Sequence, residues 1–351
     1  MTDLELIESG LKLFFVKNHE IVRIINNSRA NEKRYISLAK VDDQLSIVIK
    51  MYSSSYVDSL RINSWKRLAD CFREEGIVTP KFLPSLRGEL AEGLMLEGCI
   101  FYIWVEEYIA SKYQFGKEIK LEEQPLSAFY RIGQMKGKMH RVALENQIQC
   151  DWVSPWRLYE PFTAEDEYDE NYSNASWLYH SFKDTKESGQ AIEEIWSIYN
   201  DKRTELRDIY NYLPTGQVQG DFSPANFIVN AQDSIVGIYD YNLSGSDAFI
   251  SDCIQEGIFL AYECYDTEWF DEEHVQVMDM RFKEYMKGYT TEYPINDIEF
   301  KATGLLYNIS RPARFDKVAL TIKKYNEKKI DEVNERLLWM RTEMKKPNII
   351  K

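Results

Sequence analysis

Asp221, Asn226 and Asp240 stand on one short stretch of polar turns and apolar runs, and all three carry hard oxygen atoms. The runs Phe227 to Val229 and Ile235 to Tyr239 flank the polar turn 230–234, which reads as a β-hairpin. Pairing across that turn puts Asn226 opposite Asp240 at the open end, on one face and about 5 Å apart. An amide oxygen and a carboxylate held that close suit Mg²⁺, which takes one or two protein oxygens, keeps several waters and binds substrate phosphates. Asp221 follows Gly220 and precedes Ser223-Pro224-Ala225, a segment that cannot be helix or strand interior, so it sits on a loop beside the metal pair. An acid for an acceptor hydroxyl and two oxygen ligands for a metal on phosphates are the parts of a phosphoryl-transfer site. The plainer alternative is an ordinary hairpin with polar ends.

The stretch resembles the catalytic loop and metal strand of the aminoglycoside phosphotransferase and choline kinase family. Members usually show His-Gly-Asp, four residues, then Asn, followed by an Ile-Asp-Phe-like element. Here Gln219 stands in place of the His, and Tyr239-Asp240-Tyr241-Asn242 stands where the family often has a second acid. Asp252, in a Ser-Asp-Cys helix start, matches the family's structural aspartate and reads as a helix cap or loop anchor without direct chemistry. The resemblance implies an α+β, two-lobed protein-kinase-like fold. Residues 1–107 would form a small, sheet-bearing, nucleotide-binding lobe, and 108–351 a larger, mostly helical lobe for catalysis and acceptor binding. It also implies a Mg²⁺-dependent phosphotransferase with ATP or GTP as donor and a small-molecule hydroxyl as acceptor, such as an aminoglycoside-like antibiotic, an amino alcohol, homoserine or a sugar. In that scheme Asp221 orients or deprotonates the hydroxyl, and Asn226 and Asp240 hold Mg²⁺.

The elements that must position these groups are legible as patterns. Three strands are expected at Glu20 to Ile25, Lys33 to Lys40 and Leu45 to Tyr52, with an amphipathic helix over 57–75 behind them. In the third strand a single lysine, Lys50, interrupts an apolar run; a lysine on a buried face must find a negative partner. It resembles the family's third-strand lysine for the α and β phosphates, although an edge lysine facing water has the same pattern. No Glu precedes Glu74 in the helix, so the usual partner of that lysine is missing, and Asp70 or an acid from elsewhere is the expected substitute. The turn ending at Asn31 lies where kinase-like folds cover the nucleotide phosphates. It has no glycine, but Asn tolerates positive φ, and a plain hairpin turn is the competing reading.

Two further strand runs, Leu90 to Met95 and Cys99 to Val105, lead into Trp104-Val-Glu-Glu-Tyr-Ile109. This resembles the family's hinge, whose backbone at Glu107 and Ile109 would meet the nucleotide base; Glu106 and Glu107 read equally as a solvated strand end. His140 closes a helix from Leu126 and reads as a packing histidine. The acidic run 163–170 reads as a helix start, with an acidic lip for an amine-bearing acceptor as the alternative.

Composition bounds the rest. A chain of 351 residues is long enough for two lobes, and a net charge of −14 argues against a nucleic-acid-binding face. Five scattered cysteines without Cys-x-x-Cys spacing argue against a disulfide framework or zinc site. The acidic amino terminus and the lack of about 18 continuous apolar residues lead to the expectation of a cytoplasmic protein with no membrane partner. A kinase-like scaffold that binds nucleotide or a protein partner without turnover is the second reading. The glycine-free turn, the missing Glu and Gln219 favour it; the joint presence of Asp221, Asn226 and Asp240 opposes it.

Overall fold

The computed structural model describes residues 2–15, 19–29, 32–41, 45–96, 98–113, 117–157, 159, 169–186, 188–262 and 272–349, with side chains from 275 in the last segment. Asn31, the turn residues 42–44, and Glu165, Asp166 and Glu167 of the acidic run lie outside the described residues.

In chain order the elements begin α1 (Asp3–Leu11), β1 (Glu20–Asn26), β2 (Lys33–Lys40), β3 (Ser46–Ser53), α2 (Ser59–Glu74), β4 (Phe82–Leu83), β5 (Glu92–Leu96) and β6 (Cys99–Glu107). They continue α3 (Leu126–Glu145), α4 (Glu170–Phe182), α5 (Gly189–Tyr210), β7 (Thr215–Val218), β8 (Phe227–Val229), β9 (Ile235–Ile238) and β10 (Gly245–Ala248). The chain ends in α6 (Phe249–Tyr262), α7 (Glu272–Glu292), α8 (Asp297–Ser310), α9 (Phe315–Asn326) and α10 (Ile330–Met344). Two compact units result: residues 1–119 with 225–244, and residues 120–224 with 245–351. Among the described residues no helix is long and apolar enough to cross a membrane.

The first unit is built on an antiparallel sheet in the order β1-β2-β3-β6-β4, with β5 also paired to β6. Period-two alternation divides β3 and β6 into two faces. Ile47, Ile49, Met51, Phe101, Ile103 and Val105 pack with Leu6, Ile7 and Leu11 of α1. The even-numbered residues Lys50, Tyr52, Trp104 and Glu106 take the opposite face, where Trp104 meets Trp65 of α2 edge-on at 5.8 Å. Helix α2 starts at Asp58, whose side chain accepts the Arg61 amide at 2.8 Å, and stops before Gly76 at φ 80°. The hairpin β8–β9 belongs to this unit, and Val78 bridges to Gly237 in parallel.

Among its described residues the second unit is helical apart from the short ladder of β7 with β10 and a single bridge from Val153 to Ser246. Its tightest crossing is that of α3 with α7. A Cβ on Gly133 of α3 would lie 1.9 Å from the Tyr285 carbonyl oxygen, so only glycine lets the backbones meet. This contact fixes the face on which α3 presents Lys136 and His140, four residues apart and therefore neighbours on the helix. Gly133→Ala is expected to destabilise the fold by about 1–3 kcal/mol, the usual cost of overpacking, and more if the backbones cannot part. A lower denaturant midpoint at constant slope is the readout; an unchanged midpoint would show that the crossing relaxes freely.

Candidate nucleotide and catalytic sites

Lys50 is 6% exposed and does find negative partners, though not the one expected from α2. Its Nζ lies 3.1 Å from Oε1 of Glu106 and 3.2 Å from Oδ1 of Asp240. Asp70 is instead held by Lys66 and Arg73 within its own helix. Antiparallel register explains the substitution: Lys50 faces Trp104 across the β3–β6 ladder, and Glu106 is the next residue on that face of β6. The Trp104 indole donates to the same Glu106 oxygen at 2.8 Å, which orients the carboxylate. Burial alone would lower the Lys50 pKa, but Asp240 and then Glu106 outweigh it and hold the ammonium above its ordinary range. Glu106 is thus an interior acid, a place that the sequence alone does not distinguish from the solvated end of a strand.

The hairpin register differs by one residue from the expectation. Phe227 pairs with Ile238 and Ile228 with Gly237, so Asn226 comes opposite Tyr239, whose amide donates to the Asn226 carbonyl at 2.8 Å. Asn226 ends a 3₁₀ turn (Pro224–Asn226) ahead of β8, and Asp240 lies one residue past Tyr239. Asp240 takes φ 51°, a left-handed conformation that Asp tolerates at some cost. Such strain is held where the surroundings over-determine it, here by the ion pair to Lys50. The donor set still fits a magnesium ion: two side chains with oxygen donors, one a carboxylate 24% exposed and already beside the lysine. Among the described residues no group of three His, Cys, Asp or Glu is arranged to hold a metal, so phosphates and water would complete such a shell.

At the proposed hinge the Glu107 amide donates to the Lys81 carbonyl at 2.8 Å, and the Ile109 carbonyl accepts the Tyr239 hydroxyl at 2.6 Å. The Glu107 carbonyl and the Ile109 amide are then the groups these two residues could turn to a base.

The loop carrying Asp221 is built within the second unit. Gly220 at φ 85° makes the turn, and Gln219, standing where the family has His, accepts the Asp221 amide on its side-chain oxygen at 2.9 Å. Phe222 is fully buried, and its amide donates to Oε1 of Glu256 at 3.0 Å. Beneath it Lys136 is closed off from water, 4.8 Å over the Phe222 ring and paired with Asp252. Asp252 also accepts from His140 at 2.8 Å, while the other ring nitrogen of His140 meets the Tyr289 hydroxyl at 2.9 Å. Burial, more than anything, pushes the His140 pKa down to about 4, so it is a neutral packing histidine; Asp252 is an interior anchor in the first turn of α6.

One ammonium and two carboxyls buried together are neutral when one carboxyl keeps its proton. Burial pushes Glu256 up to about 8 from an ordinary 4.5; Lys136 opposes this, and the charges of Asp252 and Asp221 add to it. The folded state thus binds a proton that the unfolded chain releases, and this contribution to stability is lost as pH rises from about 4.5 through 8. Glu256→Gln, shaped like the protonated acid, is expected to flatten the fall in melting temperature between pH 5 and 8, on the order of one ionisation, and to keep turnover at pH 7. Glu256→Ala, which abandons the Phe222 amide, should lower kcat by about tenfold. Equal pH profiles for the Gln variant and wild type would remove Glu256 as the titrating group.

The sequence profile of the phosphotransferase enzyme family matches residues 22–288. No curated protein matches the chain by sequence. Among solved structures, an amicoumacin kinase in complex with AMP-PNP and Ca²⁺ is similar with a TM-score of 0.57 at 15% identity, covering 97% of this chain and 94% of that one. The microcompartment-associated aminopropanol kinase gives a TM-score of 0.56 at 13% identity, covering 98% of this chain and 99% of that one. At these identities the likeness is one of fold, which is protein-kinase-like with a sheet-bearing amino-terminal region and a mostly helical carboxy-terminal one.

Proposed function

Because the chain belongs to the phosphotransferase enzyme family, we infer that it moves the terminal phosphoryl group of a nucleoside triphosphate to a hydroxyl of a small molecule. The observation that carries this reading is the buried lysine of β3 held between Glu106 and Asp240. A lysine so placed stays charged, is pre-oriented, and can give its remaining donor capacity to phosphate oxygens. Asn226 and Asp240 would hold Mg²⁺, which when bound neutralises charge on the phosphates. The Glu107 carbonyl and Ile109 amide would meet the base, and a turn ending at Asn31 would cover the phosphates.

In transfer, the bond from the acceptor oxygen to the terminal phosphorus forms as the bridging bond to the nucleoside diphosphate breaks. The hydroxyl proton passes to the Asp221 carboxylate. Catalysis would rest on positioning and charge neutralisation, with no covalent enzyme intermediate. The AMP-PNP and Ca²⁺ bound to the similar amicoumacin kinase support a triphosphate donor with a divalent ion. The scaffold reading leaned on the missing helix acid, and Glu106 answers that objection. The division into a nucleotide-binding region over 1–107 and a catalytic region over 108–351 belongs to the same proposal.

The test is a panel of hydroxyl-bearing amino alcohols, aminoglycosides, hydroxy amino acids and sugars, scored by consumption of ATP and of GTP. Consumption that depends on one acceptor class supports the reading. None above the acceptor-free background, with nucleotide still bound, returns the chain to the scaffold reading.

A further inference from the structure

Among its described residues the second unit holds a buried cation that no carboxylate meets at ion-pair distance. Arg311, directly after α8, is 2% exposed, and its Nε and Nη1 have no hydrogen-bond partner. Its guanidinium lies 3.9 Å from the centre of the Tyr262 ring and 5.0 Å from that of Trp339. Ring faces attract a cation, but they do not satisfy N–H donors, and a guanidinium taken out of water without an acceptor is costly. Three carboxylates of the surrounding helices have partners of their own. Asp279 accepts the Tyr262 hydroxyl at 2.8 Å and lies 3.6 Å from Lys346, and Glu343 is 2.6 Å from Lys346. Asp316 is shared between Arg314 at 3.0 Å and Lys317 at 3.1 Å.

The junction of α8 and α9 therefore brings three cationic side chains together, Arg314 and Lys317 sharing Asp316 and Arg311 close enough to act on Lys317, in a chain of net charge −14. Burial, more than any neighbouring charge, pushes the Lys317 ammonium down to about 8; Asp316 opposes this, and Arg311 and Arg314 add to it. Next to this cluster Phe315 is 58% exposed and stacks on Trp177, 42% exposed, at 6.0 Å, an apolar wall at the same junction.

Helix α6 ties the junction to the Asp221 loop. Its Glu256 accepts the Phe222 amide, its Ile258 carbonyl accepts from Arg314 at 3.3 Å, and its Tyr262 carries Arg311. From Glu256 to Tyr262 the helix rises about 9 Å. We propose that the α8–α9 junction is an oxyanion site in which Arg311, flanked by Lys317 and Arg314, takes a carboxylate or phosphate of an elongated acceptor whose hydroxyl lies at Asp221. The role as acceptor site rests on the kinase reading; the anion site itself does not. An arginine fork matches either oxyanion, so the shared chemistry is a planar or tetrahedral array of charged oxygens.

The test compares the wild type with Arg311→Met, a replacement that fills much of the same volume without the charge. With the nucleotide site saturated by AMP-PNP and Mg²⁺, inorganic phosphate is titrated against chloride at equal ionic strength while melting is followed. Phosphate should raise the wild-type melting temperature, and the variant should need about 30-fold more phosphate, or above, for the same shift, as when one partner of a buried charge pair is removed. Should Arg311→Met fail to fold, Lys317→Met carries the same comparison. Identical titrations of variant and wild type overturn the site. Acceptor turnover is then measured with hydroxy acids, sugar or polyol phosphates, and neutral polyols. Preference for the first or second group names carboxylate or phosphate as the source; turnover confined to neutral acceptors overturns the acceptor role. A phosphate shift that needs Arg311, with no triphosphate consumption on any acceptor, leaves the anion site standing and removes the kinase reading.

Discussion

Asp221→Asn is expected to lower turnover by about 10²- to 10⁴-fold, the range general acid–base assistance supplies, while leaving melting and nucleotide binding nearly unchanged. The selectivity follows from how the loop is held. Among the contacts that shape it are the Gln219 side chain on the Asp221 amide, the positive φ of Gly220 and the Phe222 amide on Glu256. These use backbone groups that an asparagine retains. The substitution therefore removes a proton acceptor and a charge while the loop geometry persists. It also removes one of the negative charges that raise Glu256, so that group should titrate at a slightly lower pH. Measurement needs kcat and KM for the acceptor identified by the panel, with melting as a control for folding. Full turnover in a folded Asn variant would take Asp221 out of the mechanism.

The parts of this molecule that could be read from the sequence are those whose reasons are local. The hairpin declares itself through two apolar runs and a polar turn, the Asp221 loop through Gly220 and Pro224, and β3 through alternation around one lysine. What escaped depends on register or on helix phase. A shift of one residue in the hairpin moves Asn226 from Asp240 to Tyr239, and nothing in the turn 230–234 announces it. Glu106 becomes the partner of Lys50 only once Lys50 is known to face Trp104 across β3 and β6. Lys136 and Lys138 are alike in sequence, yet the glycine crossing of α3 with α7 buries only the first. Arg311 is one basic residue among many in a helical stretch, and only its place between Tyr262 and Trp339 sets it apart.

The second large effect is expected at the Lys50 ion-pair cluster, where the metal and phosphate contributions can be separated without knowing the acceptor. A non-hydrolysable triphosphate analogue at 100 times its dissociation constant adds about 2.7 kcal/mol to the native state, enough to be read in melting. If Asp240 and Asn226 ligate Mg²⁺, this stabilisation should be much larger with Mg²⁺ than with chelator, and Asp240→Ala should abolish the difference. Lys50→Met should weaken nucleotide binding in both conditions, because it removes the phosphate contact and leaves the metal ligands in place. The two variants also differ without ligand. Asp240→Ala leaves Lys50 with Glu106 at 3.1 Å, so the buried charge keeps a partner and the fold should lose little. Lys50→Met leaves Glu106, 4% exposed, without its cation, and should cost about 3–5 kcal/mol. Adding Glu106→Gln to Lys50→Met should then restore most of the loss, since a neutral amide can still accept the Trp104 indole hydrogen bond. An analogue that stabilises wild type and Asp240→Ala equally, with or without Mg²⁺, would refute the metal role and leave the cluster as a structural ion pair.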